Sequence, residues 1–248
     1  FDEKTRRLGL TSLAHLEEGF ALFRDKSEKQ WKFASSSDPI IQMAVSGIDK
    51  FELTTAGSGE ALERLLNYEV DIAGYHVSDP QASKIIAKRL QKEGMQIFPL
   101  MKRVQGLMIA KGNPHGITGV RDLLRSNIRF INRQKSSGTR LLLDTILTKD
   151  KIDPKKIKGY GHEEFTHSAI ATSILAKKAD VGVGVKSVAI ENGLDFIQLK
   201  DELFFMAMSE ELMLNKDVKN LVRRIRHLSE EIAGYKSIGL KRQITGWI

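Results

Sequence analysis

The sequence predicts an α/β fold with a largely parallel sheet. Three observations carry this. Four times a short strand-like run ends in small polar residues and passes into a helical pattern. Two further apolar runs, each led by an aspartate, arrive after such a helix, and the two halves of the chain repeat one plan: strand, Ser/Thr/Gly loop, helix, Asp-led strand.

Along the chain, residues 1–31 stand apart. Thr11 can cap a helix whose apolar positions Leu13, Leu16, Phe20 and Phe23 fall at i, i+3, i+7 and i+10, and the polar run at 24–30 reads as a linker. Such a stripe either pairs two chains or lies on the main body. The first unit then has a strand at 31–34, a loop at 35–39 and a helix from Ile40. The second has a strand at 51–54, a loop at 55–59 and a helix at 60–66. The third has a strand at 128–131, a loop at 132–139 and a helix at 140–144. The fourth is a strand at 158–162, a loop at 163–167 and a helix through Ile170 and Ile174. The Asp-led strands are 71–75 and 180–185.

The 248 residues suffice for one large domain or two small ones, and 41% hydrophobic with 28% charged residues excludes disordered and low-complexity classes. No run approaches the roughly 18 apolar residues of a membrane span, and the opening residues are unlike a signal peptide, so a cytoplasmic location and no membrane partner are expected. With no cysteine there is neither a disulfide framework nor a thiolate metal site. A net charge of +8 admits an anionic partner, nucleic acid or a small ligand, and is most simply a solvated surface.

A parallel sheet sets its strand-to-helix loops along one edge, where ligands bind, and helix N-termini there favour an anion. Ser36, Ser58, Ser137 and Thr139 are the candidate donors, with Gly57, Gly59 and Gly138 allowing close backbone approach. Plain N-capping is the alternative for any one loop; its repetition in both halves favours a ligand. Arg133 and Arg140 flank the third loop as a candidate clamp, with a surface position for one of them as the alternative, and His76 closes a strand that ends at the same edge, where a structural role competes with ligand binding. His162 and His167 are five apart, off the spacing of a helical metal pair, and no metal site or cofactor is expected. Residues 56–59 lack the first glycine of a nucleophile elbow, and 182–187 lack the Gly-Lys pair of a phosphate loop. With no carboxylate pair singled out, an enzyme is not expected.

A family resemblance rests on Arg103-Val104-Gln105-Gly106-Leu107, Gly112-Asn113-Pro114, Asn132-Arg133-Gln134, Ser137-Gly138-Thr139-Arg140, Gly159-Tyr160, Thr166-His167 and Ala179-Asp180-Val181-Gly182-Val183-Gly184. These resemble the periplasmic-binding-protein-like domain found in cytoplasmic regulators and beside molybdenum-cofactor enzymes, over most of the chain from about Trp31. Ser35-Ser36-Ser37-Asp38 and Gly57-Ser58-Gly59, with His76, also resemble the molybdate and tungstate binding proteins of transport systems. The resemblance implies a two-lobed type II fold closing on a tetrahedral oxyanion, and adds Ser37 and His167 to the ligand-binding candidates. Phe1-Asp2-Glu3-Lys4 and Arg6-Arg7-Leu8-Gly9-Leu10-Thr11 are similar to the end of the wing in LysR-type regulators, departing from that pattern where Ser12-Leu13-Ala14 replace an expected glycine.

Together these imply a wing remnant and linker or dimerisation helix at 1–31, lobe I at 32–103 plus 205–248, and lobe II at 104–204. The implied function is ligand sensing by the effector domain of a transcriptional regulator, with molybdate or tungstate as ligand, a homodimer or tetramer as assembly, and DNA contacted by a winged helix outside this chain. The rival readings are the solute receptor of an oxyanion transporter and an accessory domain of molybdenum-cofactor biosynthesis.

Overall fold

A computed structural model describes residues 30–77, 80–135 and 137–238. The wing residues and the helix carrying Leu13, Leu16, Phe20 and Phe23 lie outside the described residues.

The first half runs β1 (Trp31–Ser35), α1 (Pro39–Val45), β2 (Phe51–Thr55), α2 (Ser58–Leu66), β3 (Ile72–His76), α3 (Pro80–Lys92) and β4 (Met95–Ile109). The second runs β5 (Phe130–Arg133), α4 (Gly138–Lys149), β6 (Glu163–Glu164), α5 (His167–Leu175), β7 (Val181–Val185), α6 (Lys186–Glu191), β8 (Asp195–Ser209), α7 (Glu210–Leu214), α8 (Lys216–Glu231) and β9 (Tyr235–Ser237). The strands are ordered β2-β1-β3-β8-β4-β7-β5-β6, with β9 beside β4.

The sheet is mixed rather than largely parallel. β1 pairs in parallel with β2 and β3, and β5 with β6 and β7, as the loop-helix units require. The departure comes from β4 and β8, two 15-residue strands antiparallel to each other and to β7 and β3 respectively. Neither carries the strand, polar loop and helix signature on which the parallel expectation rested.

β4 also explains why there are two lobes. Side chains alternate across a strand, so Phe98 and Leu100 join the cluster of Phe33, Ile72, Phe204 and Ile225, while Met95 and Ile97 join Leu65, Tyr75 and Leu90 on the opposite face. Further along the same strand, Leu107 and Ile109 enter a separate core with Phe130, Leu143 and Val181, and Met108 packs with Ile170, Val185 and Val188. Each lobe therefore has helices on both faces of its part of the sheet, and β4 and β8 cross between them. Register shifts at Pro99/Met101 and Gln105/Gly106 mark the crossing.

The fourth unit differs locally from expectation. Residues 158–161 form turns, and the strand is only Glu163–Glu164, paired with Asn132 and Arg133. Gly159 has φ +94°, and a Cβ there would stand 2.0 Å from the Phe130 carbonyl oxygen. The chain folds back at this glycine instead of extending.

Candidate functional site

Loops from both lobes enclose a cavity of about 180 Å³ lined by Ser36, Ser37, Gly57, Ser58, His76, Arg133, Ser137, Gly138, Thr139 and His167. Thr55, Ala56, Glu60, Arg103, Gln134 and Phe165 complete the lining. A second hollow of about 240 Å³ beside Trp31 and Tyr68 holds the carboxylates Asp71 and Glu211 and no cation among its lining residues, so it lacks the charge to attract an anion.

The local sequence explains how these groups face one space. Asp38 caps α1, accepting the Ile40 N–H at Oδ1 (2.9 Å), which leaves Oδ2 free for other partners. Gly57 precedes α2, while Ser137 and Thr166 cap α4 and α5. The starts of these three helices, Ser58, Gly138 and His167, all line the cavity, so their positive ends point toward it. Ser137 Oγ accepts the Arg140 N–H at 3.1 Å. Its hydroxyl thus serves as a cap even where it also meets the cavity.

Beneath the cavity lies a fully buried ion cluster. Arg103 NH1 donates to Asp38 Oδ2 at 2.8 Å, while NH2 and Nε donate to Glu202 Oε2 at 3.2 and 3.3 Å. Burial pulls the Arg103 pKa down, but Glu202 and Asp38 outweigh it and the net direction is up. Gln105 Nε2 donates to the same Glu202 oxygen, and the Tyr235 hydroxyl to Asp38 Oδ2. Because β4 supplies Arg103 and Gln105, β8 supplies Glu202 and β9 supplies Tyr235, the cluster joins the crossing strands to the ligand loops. Removing one partner of such a buried pair typically costs about 3–5 kcal/mol.

His76, at the end of β3, rests on this cluster. Its Nδ1 lies 3.0 Å from Arg103 NH2, 3.2 Å from Ser36 Oγ and 3.3 Å from Ser58 Oγ, and Nε2 has no partner among the described residues. Burial first, and then the Arg103 charge, push its pKa down to about 4 against the opposing pull of Glu202. His167 is pushed well below its ordinary value by burial, then by Arg133 and Arg103. Both rings are therefore neutral at physiological pH.

Arg133, at the end of β5, is 2% exposed. Its Nε donates to Gln134 Oε1 at 3.3 Å and NH2 to the Phe165 carbonyl at 2.9 Å, while NH1 has no partner and no carboxylate pairs with it among the described residues. Burial, with repulsion from Arg103, pushes its pKa down to about 10. It stays cationic at neutral pH, at a cost that an incoming anion would relieve.

Arg140 does not reach the cavity. Nε donates to both Asp144 oxygens at 3.1 and 3.2 Å, NH1 donates to Glu163 and to the Arg133 carbonyl, and the guanidinium lies 4.1 Å over the Tyr160 ring. The acid one helical turn on competes successfully for it. Sequence reasoning missed Arg103 as a site residue: it stands beside Lys102 in a strand where Gln105 is also polar, and only the fold shows that Arg103 is buried while Lys102 is exposed.

The model of a family described as the PBP superfamily domain matches residues 44–226. The uncharacterized protein YvgK of Bacillus subtilis (strain 168) is 31% identical over 195 residues, 77% of this chain and 62% of YvgK, so the chain spans less than two thirds of that relative. An uncharacterized protein of Clostridium pasteurianum, encoded 5′ of a 2Fe-2S ferredoxin gene, is 32% identical over 74 residues, covering 29% of this chain and 66% of the relative. Among solved structures, a phosphate ABC transporter substrate-binding protein with bound phosphate from Clostridium perfringens aligns at TM-score 0.62, with 12% identity, over 85% of this chain and 100% of its own. The tungstate ABC transporter protein of Geobacter sulfurreducens aligns at 0.56, with 15% identity, over 82% and 94%. The regulatory domain of MetR, a LysR family regulator from N. meningitidis, aligns at 0.56, with 14% identity, over 85% and 99%. These structural likenesses show the fold. The match over residues 44–226, on a two-lobed α/β frame with helix ends meeting at an interlobe cavity, places this chain in the PBP superfamily.

Proposed function

We propose that this chain is a ligand-sensing domain that binds a small oxyanion, molybdate or tungstate, between its two lobes, within a transcriptional regulator that pairs through residues 1–31 and contacts DNA through a winged helix outside this chain. The observation that carries the ligand reading is Arg133, a buried cation with NH1 unpartnered beside the cavity and no carboxylate paired to it among the described residues. The His76 ring, the Ser36 and Ser58 hydroxyls and three helix N-termini supply further donors, and among the described residues the only lining carboxylate, Glu60, is exposed. An anion with no proton to donate suits such a surface. Lobes that meet at 103/104 and 204/205 would close on it by bending β4 and β8. The regulator reading is supported by the wing-like residues 1–11.

A second reading has its own support. At roughly 30 Å³ per water, a cavity of about 180 Å³ holds about six waters, which is room for a four-oxygen anion with water or for a small carboxylic acid. Titration with molybdate, tungstate, sulfate and phosphate, followed by thermal shift and calorimetry, separates the two. Molybdate or tungstate should stabilise most, by about 2.7 kcal/mol at a hundred times Kd. No concentration-dependent shift with any of the four, alongside a shift with a small carboxylate such as shikimate, would overturn the oxyanion assignment.

A further inference from the structure

The geometry of the buried ion cluster reaches one specific atom of the cleft. A guanidinium has donors and no acceptor, so an Arg103 NH2 group 3.0 Å from His76 Nδ1 can only donate to it. A protonated Nδ1 would set two N–H groups against each other. The ring must then carry its proton on Nε2, the atom with no partner among the described residues. That atom faces lobe II: a Cβ added to Gly138 would fall 1.7 Å from it.

The two serines agree with this assignment. Imidazole Nδ1 has one in-plane lone pair, and Arg103 occupies it. The Ser36 and Ser58 hydroxyls, 3.2 and 3.3 Å from the same nitrogen, are left with their protons for other acceptors. Ser58 Oγ already accepts the His76 backbone N–H at 3.2 Å, which directs its own proton elsewhere. Arg103 is held in turn from two sides by Asp38 and Glu202, and its guanidinium carbon lies 5.7 Å from the Phe204 ring centre.

We propose that Arg103 is a positioning residue of the anion cleft, which locks His76 in its Nε2–H tautomer and thereby keeps one ring N–H and two serine hydroxyl protons available to the ligand across neutral and mildly acidic pH. The proposal rests on the anion-binding reading and gives it a consequence. An ordinary imidazole beside an anion takes up a second proton near pH ~6.5, and anion affinity then rises on acidification. The charged groups bearing on His76 are Arg103 from β4, Arg133 from β5 and Glu202 from β8, with neutral His167 beyond them. The two cations and burial outweigh the one carboxylate, which pushes the ring down to about 4. The anion affinity of the cleft should therefore be flat where an unlocked histidine would make it slope.

Long-range ¹H–¹⁵N correlation spectra of the anion-free wild-type chain test the lock directly. The His76 Nδ1 should resonate as unprotonated and Nε2 as protonated, without change from pH 8 to pH 5.5. A protonated Nδ1, or a titration midpoint between pH 6 and 7, would overturn the proposal. The variant Arg103→Gln/Glu202→Gln leaves the net charge of the cluster unchanged, with Asp38 still accepting from the Ile40 N–H and the Tyr235 hydroxyl, while the amide introduced at position 103 can donate or accept. In it the His76 midpoint should rise toward 6.5, and molybdate affinity should increase several-fold from pH 8 to pH 6, whereas the wild-type affinity stays constant. If Arg103 merely supports the fold, the double variant loses stability with an unchanged tautomer and pH profile, which also overturns the proposal. Failure of wild-type protein to bind molybdate would count against the ligand assignment alone, because the spectra decide the lock without any anion.

Discussion

Replacing Arg133 with glutamine should stabilise the empty protein while disabling it. The guanidinium is 2% exposed and its pKa is pushed down to about 10, which corresponds to roughly 3 kcal/mol by which the folded state disfavours the charge. Glutamine removes the charge and keeps one amide donor. The loss is then about one hydrogen bond, either that to Gln134 or that to the Phe165 carbonyl, at about 1 kcal/mol. The balance favours the variant by about 1–2 kcal/mol. In a chain of this size each kcal/mol moves Tm by roughly 2–4 °C, so calorimetry of the anion-free variant should show a rise of several degrees. The same change deletes a charge-assisted hydrogen bond to the ligand, worth about 1.5–3 kcal/mol. Molybdate affinity should fall by roughly ten- to a hundredfold, and the anion-induced shift should vanish at concentrations that saturate the wild type. A lower Tm for the empty variant with an intact anion-induced shift would refute this, since Arg133 would then be a structural cation whose partner lies elsewhere.

Gly138→Ala should fold but fail to close, because its Cβ would stand 1.7 Å from a His76 ring that the ion cluster holds in place; small-angle scattering should show a wider particle with molybdate present, and unchanged affinity would exclude a closed lobe contact at this point. His76 is pushed down to about 4 and His167 well below its ordinary value, so the unfolded chain binds more protons between those values and pH ~6.5, and stability must fall as pH drops through that window. His76 alone contributes about 2 kcal/mol of loss by pH 5, read as a lower urea midpoint than at pH 7.5; equal midpoints would mean the rings are protonated in the fold. Leu16→Glu/Phe20→Glu should convert a dimer into monomers in sedimentation, and an unchanged oligomeric state would reject pairing through the first segment.

The parts of this protein legible in its sequence are those whose signals are local. Strands β1, β2 and β3 and the loops at 35–39 and 55–59 announce themselves because the polar residues that cap a helix and line a ligand edge sit beside the apolar run that forms the strand. β4 and β8 do not, because their pairing partners lie about a hundred residues apart, as between Arg103 and Glu202, and no turn marks the join. Arg103 was hidden for the same reason: its acids come from positions 38 and 202. Arg140 looked equivalent to Arg133 in sequence, yet its place in the first turn of α4 hands it to Asp144, whereas Arg133 ends a strand with no acid one turn away. His76 could be placed at the edge, but its tautomer depends on which donor lies behind the ring, which only the packed fold supplies.

The antiparallel pairing of β3 with β8 also sets an order of events during synthesis. Ile72 stands in register opposite Met208, and Val218, Leu221 and Ile225 of α8 close the core that Phe33 and Ile72 begin. A ribosome has therefore emitted the whole of the second lobe, with its own core around Phe130, Leu143 and Val181, before the first lobe can be finished. Through that interval the first hundred residues carry an uncovered strand edge and an unfilled apolar face, the exposure on which chaperones act and from which aggregates start. All residues of the later-made core are thus available before those of the first, and the ligand pocket is complete only when the strand returning from that lobe docks beside β3.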